Sequence, residues 1–199
     1  GILKLDFTDD IPAYSSHAYN TRYGGSVPAS TFEALGNSFL GSAIVTATSP
    51  ILGVCNLVRG PTYLASWHNG VPGGAGTLVF PVAYRTKNGS AWTGYSGVVV
   101  HNLDAQNEIT VCTNWYGQEG DLMVDFCDEI PANACHGYNT RYGGDAPEGA
   151  DTFNPLGTEW TGTVVVTTTS PSGIAALVEN NIAGADYAYL MDYNGIPAD

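Results

Sequence analysis

Leu3, Leu5 and Phe7 alternate with Lys4, Asp6 and Thr8, the period-two pattern of a strand with one buried face. The alternation returns at Leu122, Val124 and Phe126. Both runs end at an acidic turn closed by Ile-Pro, Asp9-Asp10-Ile11-Pro12 and Asp128-Glu129-Ile130-Pro131, where proline removes a ladder donor. A further strand is predicted over about 16–23, ended by Gly24-Gly25, and residues 26–38 read as a loop. Residues 41–48 and 51–58 predict two strands about the turn Ser49-Pro50, and residues 162–169 and 173–179 repeat that hairpin. Its β-branched run, Val164-Val165-Val166-Thr167-Thr168-Thr169, favours strand strongly. Three more strands are predicted at about 77–86, 96–103 and 108–116, joined by turns at 87–90 and 104–107.

The chain is organised by an internal repeat. Residues 17–25 read His-Ala-Tyr-Asn-Thr-Arg-Tyr-Gly-Gly, and residues 136–144 read His-Gly-Tyr-Asn-Thr-Arg-Tyr-Gly-Gly. Residues 1–25 align with 120–144 without a gap, with 16 of the 25 positions identical. After a two-residue insertion Thr31-Phe32 meets Thr152-Phe153, and Ser49-Pro50 meets Ser170-Pro171. Repeats set architecture before any single motif does. The three strands of 77–116 have no counterpart ahead of the first copy. The expected organisation is therefore an incomplete β-sandwich copy at 1–69, a Gly/Pro linker at 70–76 and a complete copy at 77–199. Each complete module is expected to be an antiparallel sandwich of about seven strands.

Composition narrows the function. The 199 residues carry a formal charge of −13 with only six Lys and Arg, which disfavours nucleic acid because phosphate contacts need a basic face. No run of 18 apolar residues exists to form a spanning helix, and no basic start precedes an apolar core as a signal peptide would. An all-β chain that keeps itself soluble by self-repulsion is the expectation.

The series Phe80-Pro81, Tyr84-Arg85, Trp92-Thr93-Gly94 and Val98-Val99-Val100-His101-Asn102-Leu103, followed by Ile130-Pro131, Gly162-Thr163-Val164-Val165-Val166, Ser170-Pro171 and Ile174-Ala175-Ala176-Leu177-Val178-Glu179, resembles a known repeat type. It is similar to the tandem Ig-like β-sandwich modules of bacterial cell-surface and extracellular fibrous proteins. The similarity covers most of 77–182 and part of 1–58. It rests on strand and turn signatures and brings no catalytic residues with it. It implies an extracellular structural or adhesive repeat.

Candidate chemistry is sparse. No nucleophile elbow, zinc-protease helix, phosphate loop or Cys-x-x-Cys is present. His17 and His136, each beside Arg and Tyr, suggest strand packing and turn hydrogen bonds more than acid–base catalysis; His68 and His101 are single. Asp6, Asp9 and Asp10 match Asp125, Asp128 and Glu129, weak candidates for Ca²⁺, the one cofactor left open, although the spacing is not that of an EF-hand. Trp67, Trp92 and Trp115 would serve a sugar platform only if exposed in a row. Asn88-Gly89-Ser90 is the single N-glycosylation sequon. Cys127 and Cys135 align with Thr8 and Ser16, so one copy has both thiols and the other neither. That joint replacement predicts a Cys127–Cys135 disulfide across the turn and an oxidising compartment. Strand parity places Cys55 and Cys112 in opposite environments.

The expectation is a non-catalytic, secreted or cell-surface repeat protein, a piece of a filament, sheath or stalk. Its partners would be identical subunits bound through N-terminal strand edges, without nucleic acid or a membrane span. A carbohydrate-binding or adhesin module, with glycans as partners, is the alternative. Leu3, Leu5, Phe7, Val45 and Val54 are expected to be left exposed by the missing strands.

Overall fold

Strands dominate the computed structural model, which describes residues 1–39, 41–59, 64–183 and 188–198. The chain divides into two units, Gly1–Ala43 and Ile44–Asp199. Residues 70–76 lie inside the second of these units. Residues 54–69 belong to the second unit because their hairpin packs on its last long strand, and Asn194 Nδ2 donates to Asn69 O at 2.7 Å.

The first unit has little regular structure. β1 (Tyr19–Asn20) pairs antiparallel with β2 (Gly24–Gly25), and a 3₁₀ segment follows at Ala29–Leu35. Phe32 is its buried residue, met edge-on by Phe7 with ring centroids 5.8 Å apart. The strand expected at Leu3 to Phe7 does not form. Its alternating pattern is intact, but no neighbour offers a ladder, and an isolated strand has no hydrogen bonds of its own.

The second unit opens with the hairpin β3 (Val54–Arg59) and β4 (Leu64–Asn69). Ten further strands follow: β5 (Thr77–Asn88), β6 (Ala91–Asn102), β7 (Ile109–Gly117), β8 (Leu122–Ile130), β9 (Cys135–Asn139), β10 (Gly143–Gly144), β11 (Glu159–Thr168), β12 (Ile174–Ala183), β13 (Ala188–Asn194) and β14 (Ile196–Pro197). A second 3₁₀ segment, Gly149–Leu156, repeats the first. The strands join in one large, curled antiparallel sheet ordered β10-β9-β6-β5-β11-β7-β8, with β12 between β6 and β13 and β14 on β5.

The sheet curls because β5 and β6 pair only beside their turn, from Arg85↔Tyr95 to Asn88↔Ala91. Beyond that point β5 pairs with β11, while β6 takes β9 on one edge and β12 on the other. The inward residues alternate along each strand, as in the pattern of β11, where Trp160, Val164 and Val166 are buried. They enclose one core in which Trp115, Tyr138, Phe80 and Phe153 are completely buried. Trp115 meets Phe153 edge-on at 4.9 Å, an arrangement aromatic rings prefer.

Three expected hairpins are not hairpins. β11 and β12 flank Ser170-Pro171 yet pair with different strands, β11 with β5 and β7, and β12 with β6 and β13. In the first copy residues 41–53 form no strand, and Val54–Arg59 pairs forward with β4. β6 and β7 part in the same way after residues 104–107.

This topology also corrects the disulfide. β8 pairs with β7 and β9 with β6, so Cys127 and Cys135 do not face each other. Cys112 lies directly opposite Cys127 in the β7–β8 ladder, Cα–Cα 4.0 Å, and the bond joins those two. Cys135 is free and half-buried, and Cys55 is free.

Within residues 70–76 one position joins the sheet. Ala75 and Ile174 exchange backbone hydrogen bonds at 3.1 and 3.0 Å, and Ala75 is buried.

Candidate functional site

The most organised polar group is built from the repeated stretch itself, and it is built twice. In the second copy Asp128, on β8, accepts from His136 Nδ1 at 2.6 Å and from the Tyr138 hydroxyl at 3.0 Å, both through Oδ2. His136 and Tyr138 share one face of β9 because they are two residues apart. In the first copy Asp9 Oδ2 accepts from His17 Nδ1 at 2.6 Å and from the Tyr19 hydroxyl at 3.0 Å. The carboxylate can only accept, so each histidine carries its proton on Nδ1.

The turn after each strand is also duplicated. Asn139 Oδ1 accepts from the amides of Arg141 and Tyr142, and Asn20 Oδ1 accepts from those of Arg22 and Tyr23. Each Asn makes a turn that mimics backbone hydrogen bonding. Both following glycines need their missing side chain. Gly143 and Gly144 have φ of 82° and 69°, and a Cβ on Gly144 would lie 2.0 Å from Gly137 O. Gly25, at φ 88°, would strike Ala18 O at 2.2 Å in the same way. One contact survives with a changed residue: Asp145 Oδ2 accepts from Gly137 N, where Ser26 Oγ accepts from Ala18 N.

Electrostatics follow the geometry. Burial first, and the Asp128 charge second, push the Tyr138 phenol far above its ordinary range. Burial also raises Tyr19, with the Asp9 hydrogen bond adding to it. The Asp9 carboxyl is held below the usual carboxylate range, first by the His17 hydrogen bond and then by that of Tyr19. A depressed folded-state pKa adds stability above the unfolded value, and the gain is lost as pH falls through the folded value. Acidification below about pH 4 should therefore release the Asp9–His17–Tyr19 contact, read as a change in the His17 ring resonances. In Asp9→Asn that acid step should vanish; its persistence would show that another group controls it.

This arrangement holds a histidine against a carboxylate, but its third member is a tyrosine whose hydroxyl donates to that carboxylate, buried at Tyr138 and exposed at Tyr19. His136 and His17 thus sit in strand-to-turn hydrogen bonding. The other candidates scatter. Asp9 and Asp128 are engaged as described, and Glu129 Oε1 accepts from Thr110 Oγ1 at 2.7 Å. Asp6, Asp10 and Asp125 join no such cluster, and among the described residues no group of three His, Cys, Asp or Glu side chains is arranged to hold a metal. Trp115 is in the core, Trp92 lies beneath Arg85 and Lys87, and Trp67 is exposed, so they form no exposed row. Asn88 is exposed at the β5–β6 turn, accessible to a modifying enzyme. His101 is buried at the end of β6, and burial lowers its pKa.

Two polar sets were not foreseen. His68 on β4 lies 4.0 Å from Asp192 on β13, and Ser66 hydrogen-bonds to the same carboxyl, whose pKa burial raises. Cys55 faces His68 across the β3–β4 ladder, with its thiol pushed up by burial and so kept protonated. The second set is a row of buried bridges. Asn102 Nδ2 donates to the carbonyls of Asn107, Ile130 and Pro131 at 2.9–3.1 Å, and its Oδ1 accepts from Asp104 N. Ser96 Oγ donates to Asn180 Oδ1, and Arg85 binds the carbonyls of Thr140 and Gly157. The available signal was a polar residue at an inward position of an apolar strand.

No family model matches the chain, and no curated protein sequence matches it. One solved structure does, titled "Crystal Structure of Thermotoga maritima 1070", at 13% identity and TM-score 0.47, covering 63% of this chain and 96% of that one.

Proposed function

We propose that the chain is a non-catalytic, extracellular structural repeat, a segment or subunit of a surface filament, sheath or stalk. The modules would be of the Ig-like sandwich kind, complete in residues 77–199 and partial in the first copy. One observation carries this reading. The repeated stretch makes the same His–Asp–Tyr contacts in both copies, at 2.6 and 3.0 Å, although one copy sits in a large sheet and the other has almost none. A unit that folds alike in unlike surroundings is what a tandem array requires. Duplicated identically, it serves as a joint more readily than as a catalytic centre. The Cys112–Cys127 bond is compatible with secretion.

Assembly in this reading runs through the N-terminal copy, where Leu3, Phe7, Val45 and Val54 are exposed and Leu5 is half-buried. Open strand edges and apolar faces recruit neighbouring strands. Sedimentation velocity over micromolar concentrations should reveal species larger than the 20.9 kDa chain that grow with concentration. A single 20.9 kDa species throughout would overturn the assembly reading.

A further inference from the structure

The hairpin β3–β4 is the first-copy counterpart of β12–β13. Asn69-Gly70-Val71-Pro72 ends the one as Asn194-Gly195-Ile196-Pro197 ends the other. Asn69 is opposed by Val54 as Asn194 is opposed by Leu177. From that anchor the two ladders run in step. Asn56↔Trp67 matches Glu179↔Asp192, and Val58↔Ala65 matches Asn181↔Leu190. Residues two apart share a face of a strand, so these matched pairs define one equivalent face on each hairpin.

On β12–β13 that face is covered. The Asp192 side chain is 1% exposed and Leu190 is 7% exposed. The cover is β3–β4 itself, which meets Asp192 through Ser66 and His68. Those two residues alternate with Trp67, so they lie on the opposite face of β4 from it. On β3–β4 the equivalent face is bare: Val54, Val58 and Trp67 are 59%, 68% and 65% exposed. One member of the repeated pair thus uses this face for packing, under a hairpin of the same kind, and the other presents it to solvent.

Charge points to the occupant. Val54, Asn56, Val58, Ala65, Trp67 and Asn69 carry no charge, in a chain whose formal charge is −13. Two identical acidic chains meet with least repulsion at an uncharged apolar patch. In a second copy the β12–β13 face is already taken by its own hairpin, whereas its β3–β4 face is equally bare. We propose that the Val54–Val58–Trp67 face is where two copies of this chain meet, hairpin on hairpin about a two-fold axis, with Trp67 at the centre. This inference rests on the assembly reading above and names its contact surface. Each strand of the hairpin has six residues, a small face beside the roughly 1,200–2,000 Å² of a standard interface, so the pairing belongs to the weak, concentration-dependent class.

The test is sedimentation velocity of the full chain and its variants. Trp67→Glu should weaken association by about thirtyfold or more, because a central aromatic anchor is lost and two like charges are brought together. Gln106→Glu adds the same charge at an exposed turn and should leave association as it is. Trp67 is exposed, so circular dichroism and Tm of Trp67→Glu should match the parent. The two-fold geometry is tested with Asn56→Cys in a chain also carrying Cys55→Ser and Cys135→Ser, which leaves one free thiol beside the Cys112–Cys127 bond. Mild oxidation should link the two introduced thiols of a pair, and Trp67→Glu should suppress that link. Equal association of Trp67→Glu and parent overturns the proposal and leaves the assembly reading standing. Equal weakening by Gln106→Glu also overturns it, since net charge then controls association, and absence of the link overturns the two-fold pairing. A parent chain that stays at 20.9 kDa sinks the assembly reading itself, and the bare face then belongs to a different partner.

Discussion

Asn102→Ala should destabilise the second unit by about 3 kcal/mol, since removing one partner of a buried hydrogen bond costs roughly 1–3 kcal/mol and these bonds share a single side chain. Asn102 is fully buried, and its amide serves the carbonyls of Asn107, Ile130 and Pro131. Truncation takes this donor from all three carbonyls, of which Pro131 O keeps the Ala134 amide, and takes this acceptor from the Asp104 amide. Asp104 would be disturbed too. Its side chain accepts from Gln106 N and Asn107 N, and these bonds hold its carboxyl below the usual range. Asn102→Asp retains the acceptor and loses the donor, so it should fall at least as far. Denaturant unfolding checks both, and a change under about 0.5 kcal/mol in Asn102→Ala would mean water replaces the side chain at little cost.

Cys112→Ser with Cys127→Ser should cost about 3 kcal/mol, the chain-entropy value for a closed loop of this size. The two residues are 15 apart in sequence. Reductant should lower the melting temperature of the parent chain and leave the double variant unchanged. Peptide mapping of the oxidised chain should recover the 112–127 linkage, with Cys55 and Cys135 as free thiols. A 127–135 linkage would mean that β8 and β9 are neighbours, contrary to this topology.

That disulfide marks where sequence reasoning succeeded and where it ended. Strand positions were legible, because Val98, Val100, Val164 and Val166 sit at alternate, buried positions of β-branched runs. Strand partners were not. Adjacent runs such as 122–130 and 135–139 look like a hairpin from chain order, and only the curl of the sheet sends them to β7 and β6. Alternation reports which face of a strand is buried and is silent about its neighbour. The first copy exposes the same limit, since Leu3, Leu5 and Phe7 keep the pattern but form no strand. In the site, the repeat singled out His17 and His136 while their carboxylate partners were weighed as a separate, calcium-like cluster. Asp128 and His136 are eight residues apart across a turn, a spacing that matches no local motif.

The separation of chain neighbours into different ladders also governs how the molecule is made. β5 leaves the ribosome well before β11, the strand it must pair with from Thr77↔Thr167 to Thr86↔Glu159. Contacts that distant in sequence incur loop-closure entropy before any ladder rewards them, so folding belongs to the slow, millisecond-to-second class of β topologies.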